Sequence, residues 1–461
     1  MAYSSLKPDL NGGAGQATAV SDGRGLAGEP GEKRRARDAE PTAARPAGED
    51  LVARKIAELR QYYDVPGIDR VVAICCWGRS GSYFLASFLD GHDDVLTIPL
   101  SMGELIYPFW ERHRHLSLRE KLFAYPGFLE SMRYDASFFR GVFRIGEADY
   151  HASVSALLAV YADQPVEVLE TRATFFRFLV VAYNLAFGRR PGNPRPMIVH
   201  PQHLWSNANA QRLASDFPGC RFIHTVRDPI SCFDSTAQHF ADLNDEKFVA
   251  RQYDPAFLRR PRYNYPAWNA LWALALRDAP HQGMQERSIA VRFEDMHTDP
   301  RQTMGRVARW LGVAEAPGLL ESTFNGTPWV VESGGKTWTG TRQEQVRRRS
   351  RNMSWVDRTL IFALLQENFA SWGYPYPAAF GSRLVRALCL VPALLFPMRS
   401  ELVSDRIVWG AVLLPALREA NLRGAARAVW QTLVARVGLR LLMLGELARR
   451  VAVGKRLVPP I

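Results

Sequence analysis

Cysteine is scarce, with five in 461 residues, at positions 75, 76, 220, 232 and 389. An odd number so widely scattered makes no disulfide framework and points to a reducing compartment. No CxxC or CxxH pair occurs, so no metal is expected. Residues 1–50 lack any 7–15-residue apolar stretch and so predict neither a signal peptide nor an N-terminal anchor. Acidic residues are outnumbered, 46 Asp and Glu against 58 Lys and Arg, leaving a net charge of +12 that favours anionic partners. Zinc fingers and RNP-type motifs are missing, so nucleic acid is not the expected anion. Internal repeats at solenoid periods are also missing.

What is present divides the chain unevenly. Residues 1–50 are rich in Gly, Ala, Pro and charge, without a period of 2.0 or 3.6, and predict a disordered tail. From 51 to 376, short apolar runs alternate with helical patterns, as in βα units around a central parallel sheet flanked by helices. The runs VVAICCW (71–77), VEVLE (166–170), PMIVH (196–200) and CRFIHTV (220–226) read as buried strands, with SIAVRF (288–293) as a fifth. Residues 377–461 turn to Leu, Val, Ala and Arg. Between Ala378 and Ile461 there are twelve Arg and one Lys against three Glu and one Asp, a surplus of nine positive charges.

Two turns carry the chemistry. In VVAICCWGRSGSYF (71–84) a buried strand ends, Gly78 and Gly81 flank a tight turn, and a helix begins near Ser82. That arrangement aims backbone N–H groups and a helix N-terminus at a phosphate-like anion. Ser80 and Ser82 add hydroxyls, and Arg79 adds a planar charged fork. No Lys follows Gly81, so the turn is not the GxxxxGK[ST] loop of magnesium-dependent NTPases. In CRFIHTVRDPISCFDSTAQHF, Arg227 stands where the fourth strand ends, at the edge where open α/β sheets bind ligands. Asp228 and Pro229 open the next helix, and Ser235 lies one to two turns along it.

Together these turns resemble the PAPS-dependent sulfotransferases. GRSGSYFLASFLDGHDDV is similar to their 5′-phosphosulfate loop, FIHTVRDPISCFDSTAQHF to their 3′-phosphate motif, and VRFEDMHTDPRQTMGRVARWLGV (291–313) to a late strand-and-helix segment. All three occur in the family's order and spacing, over about 68–375. The resemblance implies a P-loop-like α/β sulfotransferase fold, 3′-phosphoadenosine 5′-phosphosulfate as donor, and in-line transfer to a hydroxyl or amine without metal. Arg79, an Arg as in the tyrosylprotein and many bacterial members, would meet the 5′-phosphosulfate and stabilise charge on the leaving oxygen. Ser80, Gly81, Ser82 and Tyr83 would contribute donors, although Tyr83 stands where a small hydroxyl residue is usual. Arg227 and Ser235 would hold the 3′-phosphate. Phe293 stands where Tyr is common beside the nucleotide, and Lys336, in a glycine-rich basic segment (332–351) with Arg342, would close over the cofactor.

Two residues are candidates for the base. Glu104 resembles the Glu of the members that share the Arg at 79, which favours it; His200, read as the end of the third strand, resembles the catalytic His of cytosolic members. His203 and His92 are weaker candidates. Stretches within 384–457 are apolar but broken by Arg or Pro, and none reaches the ~20 uninterrupted residues of a spanning helix. They suggest helices that pack on the core or lie on an anionic membrane surface. The expected protein is a cytoplasmic enzyme, peripheral on the inner face of a membrane, whose acceptor is a glycan or lipid-linked molecule bound by loops at 100–165 and 236–287. The alternative is a non-catalytic adaptor that keeps the nucleotide fold and binds a membrane or partner through its C-terminal helices.

Overall fold

The computed structural model describes residues 48–76, 80–98, 102–131, 144–203, 207–242, 283–333, 336–347, 353–396, 398–399, 413–427, 429–430, 437, 441, 445 and 460–461. Its centre is a parallel sheet of five strands: β1 (Val71–Cys76), β2 (Val95–Thr97), β3 (Met197–His203), β4 (Arg221–Val226) and β5 (Ser288–Arg292), in the order β2-β3-β1-β4-β5. Alternate side chains of a strand point to opposite faces, and β1 divides accordingly. Ala73 and Cys75 join one core with Ile198 and Phe222, while Val72 and Ile74 join another with Val199 and Ile223.

Helices cover both faces, as a fully buried parallel sheet requires. The first core is closed by α1 (Gly48–Tyr62), α3 (Met102–Arg112), α4 (Leu118–Ser131), α5 (Glu147–Val160) and α7 (Arg172–Phe187). The second is closed by α2 (Ser82–Asp90) and by α11 (Pro300–Leu311), which follows the short α10 (Phe293–Thr298). Buried Asp90 ends α2 and accepts from Thr97 Oγ1, Thr323 Oγ1 and the Gly326 N–H, tying the helix to β2 and to a hairpin of β6 (Thr323–Phe324) and β7 (Thr327–Pro328). A second hairpin, β8 (Val330–Ser333) and β9 (Lys336–Thr339), leads to α12 (Gln343–Arg347). A third core joins Val226, Ile230, Phe233 and Ala290 to α13 (Trp355–Leu364) and α14 (Gln366–Ser371).

The sequence reading needs four corrections. VEVLE is not a strand: Val166–Leu169 is a short helix, α6, entered from Pro165, with Val166 and Val168 exposed. Glu170 turns instead to the start of α4, accepting from the Leu118 N–H at 2.6 Å. The edge strand is β2, whose three residues are too few to show a period. Most of 100–165 is helical, in α3, α4 and α5, rather than loop. The third strand does not stop at His200 but continues through Pro201 to His203. Among the described residues β2 pairs only as far as Val199, leaving β3 beyond it with a side where proline, lacking its N–H, can be tolerated.

The predicted disordered tail lies outside the described residues up to 47, and α1 begins at Gly48, within its predicted span. Residues 46–461 form one compact unit. Within it, α15 (Arg383–Leu395) packs on α13, and buried Met398 joins the third core. The chain later returns to the sheet, where Ile461 N–H donates to Ala290 O of β5 at 3.0 Å.

Candidate active site

β1 lies between β3 and β4, so the chain leaves it first to one side and later to the other. The turns after β1 and β4 therefore face each other at the carboxyl edge of the sheet, where such folds bind ligands. The turn after β1 is tied directly to the end of β4: buried Ser80 and Thr225 share a hydroxyl hydrogen bond of 3.0 Å. Gly81 caps α2 with φ of +90°, a left-handed conformation that favours glycine. A Cβ there would lie 2.5 Å from the Phe293 ring. The first helical bond of α2 runs from Leu85 N–H to Gly81 O, so the N–H groups of its opening turn lie outside the helix's own ladder.

Arg227 follows β4, half-buried, with its guanidinium 4.4 Å from the centre of the Phe293 ring. Phe293 thus stands between the two turns, beneath the arginine and against the glycine. The backbone carrying Arg227 is held by two carboxylates. Asp228 caps α9 (Pro229–Asp242) by accepting from the Ser231 N–H at 2.8 Å. Glu294 accepts from the Asp228 N–H at 3.0 Å and from Tyr374 OH at 2.7 Å. Burial raises the pKa of Glu294, against the lowering effect of those hydrogen bonds and of Arg227.

α10 supplies a third contact. His297 stacks on Phe84 with ring centres 4.3 Å apart and meets Phe293 edge-on at 4.4 Å. Its Nδ1 accepts the Arg342 N–H at 2.9 Å, which ties the segment after β9 to the site. Burial, reinforced by Arg227, lowers its pKa to about 4 and keeps the imidazole neutral.

Of the residues singled out by sequence, the structure brings Ser80, Gly81, Arg227 and Phe293 together, with Ser82 opening α2. Tyr83 turns its ring to Trp329, stacked at 6.4 Å. Ser235 is half-buried on α9. Arg79 lies outside the described residues. Glu104 is on α3 and Lys336 on β9, but their side chains lie outside what is described.

His200 is fully buried in mid-strand, hydrogen-bonded through Nδ1 to Gln202 and edge-on to Phe176 at 5.1 Å. Desolvation lowers its pKa to about 3. It is therefore a core imidazole, set back from the edge of the sheet; His203 is the histidine at the strand's end. His92 is also structural, accepting the Asp94 N–H at 3.0 Å and bonded to Ala314 O at 2.9 Å. Sequence reasoning missed Thr225, Glu294, His297, Trp329 and Tyr374. Glu294 and His297 had a signal, since they share the FEDMH stretch with Phe293. Among the described residues, no group of three or more His, Cys, Asp or Glu could hold a metal ion.

The sulfotransferase family matches residues 72–317, from β1 to just past α11, and the chain belongs to that family. Among solved structures, the sulfotransferase domain from the curacin biosynthetic pathway is 15% identical, over 67% of this chain and 99% of that one, at a TM-score of 0.37. The sulfotransferase domain from the Synechococcus PCC 7002 olefin synthase is 16% identical, over 67% and 96%, at 0.36. Sulfotransferase STF9 from Mycobacterium avium is 14% identical, over 59% and 72%, at 0.28. No curated protein matches the sequence.

Proposed function

We propose that this sulfotransferase takes its sulfuryl group from 3′-phosphoadenosine 5′-phosphosulfate and transfers it to a hydroxyl or amine of an acceptor such as a glycan or lipid-linked molecule. The observation that carries the reading is Arg227 at the carboxyl edge of β4, seated on Phe293 and beside the opening of α2. A fixed guanidinium and helix-start N–H groups across one crevice suit a ligand with two separated anionic groups. The donor, when bound, supplies the activated sulfuryl group, and its 3′-phosphate would meet Arg227 and Ser235.

Arg79, Ser80, Gly81, Ser82 and Tyr83 would face the phosphosulfate, the first neutralising charge on the departing oxygen. As in phosphoryl transfer, positioning and charge stabilisation then supply most of the rate. The acceptor O–H loses its proton to a base as its oxygen bonds to sulfur and the sulfur–oxygen bond to the nucleotide breaks. Glu104 of α3 is that base in this reading, because His200 is buried in the core, where desolvation makes its imidazole a poor proton acceptor. Lys336 and Arg342 belong to the segment that closes over the nucleotide.

Thermal unfolding with PAP, the desulfated nucleotide, tests the reading. At 100 times its Kd a ligand adds about 2.7 kcal/mol, which is a Tm rise of a few degrees. PAP should stabilise the protein where ATP with magnesium does not, and Arg227→Ala should weaken the response. A folded protein that ignores PAP overturns the donor assignment. Binding of PAP without transfer to any hydroxyl or amine acceptor would leave the adaptor reading in its place.

A further inference from the structure

We propose that the C-terminal helices dock this protein on an anionic phospholipid surface, with the helices lying along the membrane rather than crossing it. α15 has two distinct sides. Leu390 packs against the core that contains α13, whereas Leu384 and Leu388, one turn apart, are 68% and 62% exposed. Arg383 is exposed at the start of the helix, and the Arg386 guanidinium is fixed on the carbonyls of Phe380 and Gly381 at 2.8 and 3.1 Å. Just past the helix, Phe396 is also exposed and lies 6.1 Å, ring to ring, from exposed Trp355 at the start of α13.

The pattern repeats further along. In α16 (Leu414–Arg418), Leu414 and Leu417 are both open to solvent and Arg418 closes the helix. Leu422 and Trp430 are 71% and 68% exposed, in helical segments that also expose Arg423 and Arg427. Trp430, Val437 and Leu441, each at a helical position, are exposed as well.

Three features favour lipid as the occupant. Between 383 and 399 there is no acidic residue, and between 413 and 430 there is one, Glu419, against three arginines. Exposed Leu with interfacial Trp and Phe, flanked by arginines that can extend to headgroups, is the composition of a helix lying in the interface. The nine-charge surplus in the last 84 residues complements an anionic leaflet and opposes pairing with a second copy carrying the same charge. No described helix is long and apolar enough to cross a membrane. None of this depends on the donor or the acceptor of the reaction.

The test uses the full chain and sedimentation with vesicles of phosphatidylcholine, alone or mixed with phosphatidylserine. Binding should require phosphatidylserine and weaken between about 0.1 and 0.5 M salt. The double variant Leu384→Glu, Leu388→Glu should lower affinity by about tenfold or more while its Tm stays unchanged, since both side chains point outward. If that variant fails to fold, quenching of Trp430 fluorescence by brominated lipid, read against Trp430→Phe, decides the matter. Absence of binding to anionic vesicles, or equal binding to neutral ones, overturns the proposal. So does concentration-dependent self-association that the double variant abolishes without any vesicle binding, which would assign the face to a second copy.

Discussion

His200 shows how far a residue's surroundings can depart from its place in a pattern. Its position after an apolar run, ahead of Arg227, suits a base at the strand's end, and a near-neutral intrinsic pKa suits proton transfer. The strand instead runs three residues further, enclosing His200 against Phe176 and Gln202. A histidine with a folded pKa of about 3 and an ordinary value of 6.5 binds fewer protons folded than unfolded between those limits. Stability therefore falls as pH drops below 6.5, by up to about 1.4 kcal/mol per pH unit for this one group. His297, at about 4, acts in the same direction over a narrower window. Glu294, whose pKa is raised, opposes them above its ordinary value. Comparing Tm from pH 7.5 to 5 in the wild type and in His200→Asn isolates the first effect. The variant should lose less stability on acidification, and parallel curves would show that His200 is not held neutral.

Among elements, those covered on both faces were legible. β1, β3, β4 and β5 are continuous apolar runs because helices cover each side of them, and four of the five strands came from that signal. VEVLE has the same composition but sits between α5 and α7 with its valines exposed, so composition without a partner strand made a helix. β2 had only its pairing with β3 to define it. The start of α2 and the opening of α9 were also legible, since glycine, serine, aspartate and proline act there through local geometry.

α10 was legible only in Phe293, because the rest of its meaning is in long-range contacts. Phe293, Glu294 and His297 touch Arg227, Asp228, Tyr374, Phe84 and Arg342 from a helix of six residues. Glu294 is the informative member. Glu294→Ala leaves the buried Asp228 N–H and Tyr374 OH without an acceptor, at about 1–3 kcal/mol each. It should lower Tm by several degrees and slacken the turn that carries Arg227. In Glu294→Gln the amide oxygen can still accept from the Asp228 N–H, but the NH2 faces the Tyr374 O–H, which loses its acceptor, and one negative charge beside Arg227 is removed. Stability should fall by about 1–3 kcal/mol, for the one unsatisfied hydroxyl rather than two groups, and PAP should bind at least as tightly as to wild type. A Gln variant as damaged as the Ala variant, by thermal unfolding and PAP titration, would show that the charge rather than the hydrogen bonds holds the turn.

At the scale of the whole molecule, composition and packing draw different boundaries. The change to Leu, Val, Ala and Arg at 377 marks a helical extension by composition, while the third core runs across that line. Met398 is fully buried among Val356, Leu360, Ile361 and Phe369, and Leu390 packs beside them. The same core contains Tyr374, whose hydroxyl reaches Glu294 and, through it, the turn that bears Arg227. Packing thus links the start of the C-terminal region to the crevice that carries Arg227. Ending the chain at 382 removes α15 and Met398 and uncovers α13. Loss of one buried Met side chain costs about 2–5 kcal/mol, so Tm should fall by roughly 4 °C or more. PAP affinity should fall with it, because Tyr374 loses the packing that fixes its hydroxyl. Leu384→Glu with Leu388→Glu should leave both readouts intact, since those side chains face away from this core. A truncated chain that keeps its Tm and its PAP response would place the boundary where the composition changes, with the region beyond 382 folding and working independently of the site.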